Sequence, residues 1–165
     1  MTAPASDAVR VALVIGAGEG NGAAIAKRFA REGYISCVAR RNDDQLTPLV
    51  SQIEAEGGKA LAFGLDARKE DAVCALVERI EREVGPIEVL VFNVGANVPS
   101  PILDQSARKY FKIWEMACFS GFLCAREVSR QMVRRERGTI LFTGATASVR
   151  GAANFAAFAG AKAAL

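Results

Sequence analysis

A doubly wound α/β fold, with a parallel sheet between helices on both faces, is what this sequence predicts, and three observations carry that expectation. Short apolar runs such as Val11-Ala-Leu-Val-Ile15 alternate with longer amphipathic stretches, as they do when crossover helices join parallel strands. The run at 87–92 is apolar almost throughout, which suits a strand buried on both sides. A glycine-rich turn, Gly16-Ala-Gly-Glu-Gly20-Asn-Gly22, stands directly between the first strand and the first helix. The length of 165 residues fits one domain, 1–165, with residues 1–8 as a loose N-terminal tail.

The elements follow in order. The strand at 11–15 feeds a helix over 23–32 that Gly33 stops, and 34–39 reads as the second strand. Asn42 can cap the next helix, whose Leu46, Leu49, Val50 and Ile53 precede a stop at Gly57-Gly58. A third strand covers 60–64. Residues 69–84 put Val73, Leu76, Val77 and Ile80 on one helical face, and Gly85-Pro86 closes that helix. The fourth strand at 87–92 precedes a long helical region over 106–136, stopped by Gly138, and a fifth strand at 139–142. A last helix starts near Asn154 and would expose Phe155, Phe158 and Leu165 unless covered, so self-association into a homo-oligomer is expected.

Charge excludes several function classes. The 21 basic and 18 acidic side chains give a net +3, and they are interleaved, so neither nucleic acid nor a membrane surface is an expected partner. The densest basic cluster, 126–137, also holds Glu127 and Glu136 and reads as a solvated helix face. There is no histidine, and Cys37, Cys74, Cys118 and Cys124 form no Cys-x-x-Cys pair, so no metal site is expected. Buried free thiols fit a reducing cytoplasm. No apolar run is long enough to suggest a membrane span, and the first seven residues lack the pattern of a signal peptide.

The glycine turn carries the chemistry. A strand that ends in glycine and feeds a helix lets backbone N–H groups approach a pyrophosphate, and the helix N-terminus adds partial positive charge. Here the residues resemble the short-chain dehydrogenase/reductase family, of Rossmann type. The spacing Gly16-x-x-x-Gly20-x-Gly22 is similar to the family's turn, with Ile15 in place of the usual threonine. Phe92-Asn93-Val94-Gly95 stands where the family has Asn-Asn-Ala-Gly, and the resemblance runs from Val11 to Leu165. It implies that Gly16, Gly18, Glu19, Gly20, Asn21 and Gly22 surround the phosphates, that Asp66 and Ala67 meet the adenine, and that Asn93, Val94, Gly95 and Lys162 complete the cofactor site. It also implies final strands and helices beyond Leu165, so the fold is expected to be incomplete at its C-terminus.

Cofactor choice turns on the end of the second strand, where Arg40 and Arg41 can form charge-assisted bonds with a ribose 2′-phosphate. NADP(H) is therefore favoured. Glu19, beside the phosphate turn, argues for NAD(H), which stays open, as does a ligand-free role for the two arginines.

The resemblance implies a catalytic tyrosine and lysine one helical turn apart, with a serine and an asparagine in support. Lys162 keeps the lysine role, but Phe158, Ala145 and Cys118 occupy the tyrosine, serine and asparagine positions. A phenyl ring exchanges no proton. Thr146 is the first candidate for a substitute hydroxyl, with Thr143 and Ser148 nearby, although such hydroxyls also satisfy loop backbone groups. Tyr34 and Tyr110 read as structural, Asp104 and Glu115 as solvent-facing unless the long helix turns inward, and Trp114 with Phe111 and Phe119 as apolar packing or a substrate wall. Three readings follow. The first is an oxidoreductase transferring hydride to or from a small carbonyl or enoyl substrate with a non-standard proton donor. The second is a cofactor-binding pseudoenzyme that senses or scaffolds, and the third a structural subunit without nucleotide.

Overall fold

In the computed structural model the described residues are 9–165, so the tail expected over 1–8 lies outside them. Strands β1 (Val11–Ile15), β2 (Ile35–Arg40), β3 (Lys59–Gly64), β4 (Ile87–Phe92) and β5 (Thr139–Phe142) form one parallel sheet in the order β3-β2-β1-β4-β5. The helices are α1 (Asn21–Arg31), α2 (Thr47–Ala55), α3 (Glu70–Glu83), α4 (Ala107–Trp114), α5 (Ser120–Arg134) and α6 (Ala156–Ala163). This is the doubly wound Rossmann-like arrangement that the alternation of apolar runs predicts.

The side-chain period of a strand decides the layers. Val11, Leu13 and Ile15 of β1 enter a core with Val73, Leu76 and Ile80 of α3 and Leu123 and Val128 of α5. Ala12 and Val14 point the other way, to Ala26 and Ala30 of α1 and Leu49 and Ile53 of α2. β1 therefore lies between two cores, and all five of its residues are buried. Ser36 is the polar exception beneath α1: its hydroxyl donates to the Ala26 carbonyl at 2.7 Å, so its burial leaves no orphan group.

Several boundaries differ from expectation for local reasons. Asn42 precedes a short 3₁₀ turn, Asp43–Leu46, and its side chain makes no capping bond. Helix α2 starts at Thr47 with Pro48 in its first turn, a position that tolerates a missing N–H. The long region 106–136 is interrupted by a π-helical segment, Glu115–Phe119, between α4 and α5. Helix α6 begins at Ala156, after Asn154 adopts a left-handed φ of 68°. Phe155, Phe158 and Leu165 are half-buried rather than bare. Leu165 packs on the core, and a Cβ at Gly121 would stand 2.6 Å from its Cδ1. The argument for self-association from those three side chains accordingly loses its basis.

The ends of α1 and α5 share one hydrogen-bond pattern. After α1, the Gly33 N–H donates to Ala30 and the Tyr34 N–H to Phe29, with Gly33 at φ 81°. After α5 the same pair of bonds runs from Glu136 to Val133 and from Arg137 to Met132, so the left-handed position falls on Glu136, φ 50°, and not on the expected Gly138. A left-handed non-glycine residue costs about 1 to 2 kcal/mol, partly offset in the unfolded chain. Glu136→Gly is therefore expected to raise unfolding free energy by about 0.5 to 1 kcal/mol in urea denaturation, and a loss of stability would contradict this account of the helix stop.

Candidate active site

A cleft of about 520 Å³ opens at the carboxyl ends of β1, β2 and β4, where the strand order reverses. Gly16 leaves β1 with φ 86°, and a Cβ there would come within 2.7 Å of the Asn93 carbonyl oxygen. At Gly22 a Cβ would lie 2.5 Å from the Gly16 carbonyl oxygen and 2.7 Å from Ala17 Cα. These two glycines are demanded by the packing of the turn. At Gly18 and Gly20, by contrast, a Cβ would meet nothing within 4 Å, and Gly18 faces the cleft. Helix α1 has no side-chain cap and no acid in its first turn. Open space above glycine and an uncapped helix start suit a pyrophosphate, so the residues present fit the group that the sequence implies. Glu19, Gly20 and Asn21 are exposed beside the turn and Gly22 is buried under it; none of the four lines the cleft wall.

At the far end of the cleft stand Arg40, Arg41, Asp66 and Ala67, together with Asn42, Gln45 and Arg68, which the sequence does not assign to the cofactor site. The Arg68 guanidinium grips Asp66 through Nε–Oδ1 at 2.8 Å and Nη2–Oδ2 at 2.6 Å. Those bonds hold the Asp66 carboxyl down at about 2, against an ordinary 3.8. Glu115, half-buried rather than solvent-facing, approaches the same guanidinium at 3.9 Å. Asp104 is exposed.

At the near end, the Asn93 Nδ2 donates to the Gly16 carbonyl at 3.0 Å and so joins the end of β4 to the glycine turn. The Lys162 Nζ donates to the carbonyls of Val94 at 3.0 Å and Thr143 at 2.7 Å, which ties α6 to the ends of β4 and β5. Lys162 is only 6% exposed, and burial pushes its ammonium pKa below the usual lysine value. Gly95 borders the cleft, and the Phe158 Cε2 would lie 3.9 Å from a Cβ placed on it. Phe158, Ala145 and Thr146 line a second cavity, of about 470 Å³, on the other side.

The remaining groups offer little acid. Cys118 is buried in the π segment beside Ala117, Ala157 and Ala161, and burial raises its thiol pKa. Burial drives Cys37 and Cys124 up to about 12, while Cys74 is half-buried; all four thiols are free. The Ser148 hydroxyl accepts the Ala145 N–H at 3.1 Å, the loop-satisfying use, while Thr146 is exposed. The Tyr110 hydroxyl would lie 2.7 Å from a Cβ on Gly160, which stands two residues from Phe158 and Lys162 and so on the opposite side of α6. Tyr34 packs edge-on against Phe29, with centroids 5.3 Å apart. Trp114 lies in a stack with Phe111 and Phe119 at 6.1 and 5.9 Å; Trp114 and Phe119 are half-buried and pack on the cores, while Phe111 is 61% exposed. Two further wall residues, Met116 and Ser120, come from the π segment and its edge, where the Ser120 hydroxyl donates to the Met116 carbonyl at 2.7 Å. Among the described residues no cluster of potential metal ligands occurs, and no helix is long and apolar enough to cross a membrane.

Comparison with known proteins agrees with this geometry. The family model for short chain dehydrogenase matches residues 10–165. The chain is 34% identical over 155 residues to 2,3-dihydro-2,3-dihydroxybenzoate dehydrogenase of Bacillus subtilis, covering 94% of this chain and 59% of that protein. It is 31% identical to 2-dehydro-3-deoxy-D-gluconate 5-dehydrogenase of Formosa agariphila, covering 93% and 58%. Among solved structures, a short-chain dehydrogenase from Rhodopseudomonas palustris superposes with a TM-score of 0.90 at 51% identity, covering 94% of this chain and 73% of that one. A 7α-hydroxysteroid dehydrogenase complexed with NADH gives 0.89 at 30% identity, covering 95% and 61%. The chain thus spans less than two thirds of the length of the curated relatives named here.

The Asp66–Arg68 pair has a pH signature. Because the folded pKa of Asp66 lies below its unfolded value, its contribution to stability is present above about pH 4 and is lost as pH falls through about 2. The stability difference between native chain and Arg68→Gln should be constant near neutrality and shrink across that acid window in urea unfolding; a difference independent of pH would contradict the assignment.

Proposed function

The chain belongs to the short-chain dehydrogenase/reductase family, and from that premise we propose that it binds NADP(H) in the glycine-lined cleft and transfers hydride to or from a small carbonyl or enoyl substrate with a non-standard proton donor. The observation that carries this reading is the cleft itself, with the open Gly18 at one end and Arg40 and Arg41, free of ion pairs among the described residues, at the other. In it Gly18 admits the pyrophosphate to the start of α1, Arg40 and Arg41 take the 2′-phosphate, and Asp66 and Ala67 border the adenine. Asn93 keeps the turn in shape, and Lys162, with one N–H left after its bonds to the Val94 and Thr143 carbonyls, would hold the ribose. Bound, the nicotinamide supplies the hydride. Phe158 and Ala145 give the substrate an apolar wall, so proton exchange falls to water or to Thr146. We further propose, on the family membership and not on the α6 side chains, that it works as a homo-oligomer in the cytoplasm. NAD(H) remains the alternative cofactor, as the NADH complex of the steroid dehydrogenase illustrates for that relative.

One observation favours a second reading, a cofactor-binding pseudoenzyme. Two of the three Lys162 N–H groups are already engaged with backbone carbonyls, and Phe158, Ala145 and Cys118 supply no acid near neutral pH, so the helix can serve binding alone.

Titration of nicotinamide fluorescence separates these readings. NADPH is expected to bind about tenfold more tightly than NADH, with the preference lost in the Arg40→Ala, Arg41→Ala double variant. Gly18→Val should keep the melting temperature and lower affinity for both nucleotides by at least about tenfold, because its side chain enters the cleft. Oxidation of bound NADPH by carbonyl or enoyl compounds supports the enzyme. Saturable binding without oxidation supports the pseudoenzyme, and absence of binding removes both.

A further inference from the structure

We propose that the second cavity is an anion subsite in which Arg150 binds the carboxylate of a small organic acid, with the reactive end of that acid turned towards Gly95 and the cleft. The location relative to the nucleotide rests on the functional reading above; the anion site itself does not.

Four observations converge. At about 470 Å³ the cavity has the size of a small-molecule site. Its walls are Phe155, Phe158 and small residues such as Ala145, its polar side chains are Asn97, Thr146 and Arg150, and among the described residues no aspartate or glutamate lines it. The site therefore offers one full positive charge with hydrogen-bonding neighbours against an apolar surface, which is complementary to a carboxylate on a short hydrocarbon. Arg150 is also uncommitted. Of the arginines that line either cavity, Arg68 is engaged with Asp66, whereas Arg40, Arg41 and Arg150 have no ion pair among the described residues. Arg150 is held by its backbone, whose N–H donates to the Thr146 carbonyl at 2.9 Å, so that the guanidinium and the Thr146 hydroxyl are presented by one tight turn. Finally, Phe158 belongs to this cavity while Gly95, packed close to the Phe158 ring, belongs to the cleft. A molecule with its carboxylate at Arg150 can therefore lie along Phe158 and end at the cleft border. Guanidinium–carboxylate pairing is bidentate and charge-assisted, which a neutral amide of the same shape cannot reproduce.

Calorimetric titration of the full chain, with and without NADPH, using crotonate and benzoate against crotonamide and benzamide tests this. The carboxylates should bind at least about tenfold more tightly than their amides, and added salt should weaken only the carboxylates. Arg150→Gln should erase the preference at unchanged melting temperature, and Arg150→Lys should retain part of it. Equal affinity for acid and amide, a preference that survives Arg150→Gln, or no binding of any of the four probes would overturn the proposal. Carboxylate binding by a chain that takes up no nucleotide would leave the anion subsite standing and sink the oxidoreductase reading; nucleotide binding without carboxylate preference would do the reverse.

Discussion

Two side chains fasten the strand ends on which the rest of the site is built. The Asn93 amide fixes the glycine turn against β4, and the Lys162 ammonium fixes α6 against β4 and β5. The close approach that results is why Gly16 and Gly22 tolerate no Cβ: one would strike the Asn93 carbonyl, and the other would come within 3.1 Å of Asn93 Nδ2 as well as striking the turn itself. Burying an ammonium is costly, and no carboxylate is paired with it among the described residues. Two backbone carbonyls offset part of the cost, while the lowered pKa records what remains.

That arrangement gives the site a divided character. On the cleft side are the open Gly18, the unpaired Arg40 and Arg41 and the clamp, all suited to a charged nucleotide. On the other side the phenyl ring of Phe158 and the methyl of Ala145 form an apolar wall that offers no bond to a carbonyl oxygen, beside the polar side chains of Thr146 and Arg150. Both proposals follow from this division. A substrate anchored by a distant anionic group draws its positioning from that contact, while its proton still has to come from water or Thr146.

Most of the fold was legible because its signals are periodic. The continuous apolar run of β1, the spacing in α3 and the glycine turn each specify one local structure, and parallel pairing leaves few ways to assemble them. The missed features are those without a period. A π segment inserts an extra residue and rotates the following helix, so Met116 and Ser120 reach the cleft although an uninterrupted helical count does not single them out. Arg68 was passed over because its role comes from a bidentate bond that depends on side-chain direction; its place two residues after Asp66 was the available signal. The half-burial of Phe155, Phe158 and Leu165 depends on α4, the π segment and α5 folding back over α6, which no local pattern encodes.

The most direct measurement of the central claim is the NADPH affinity of Asn93→Leu beside the native chain, with circular dichroism and melting temperature recorded on both. If the clamp shapes the cleft, affinity falls by at least about tenfold while the α/β spectrum persists, since one buried hydrogen bond is worth only about 1 kcal/mol of stability. Undiminished NADPH binding by a folded Asn93→Leu chain would contradict the account.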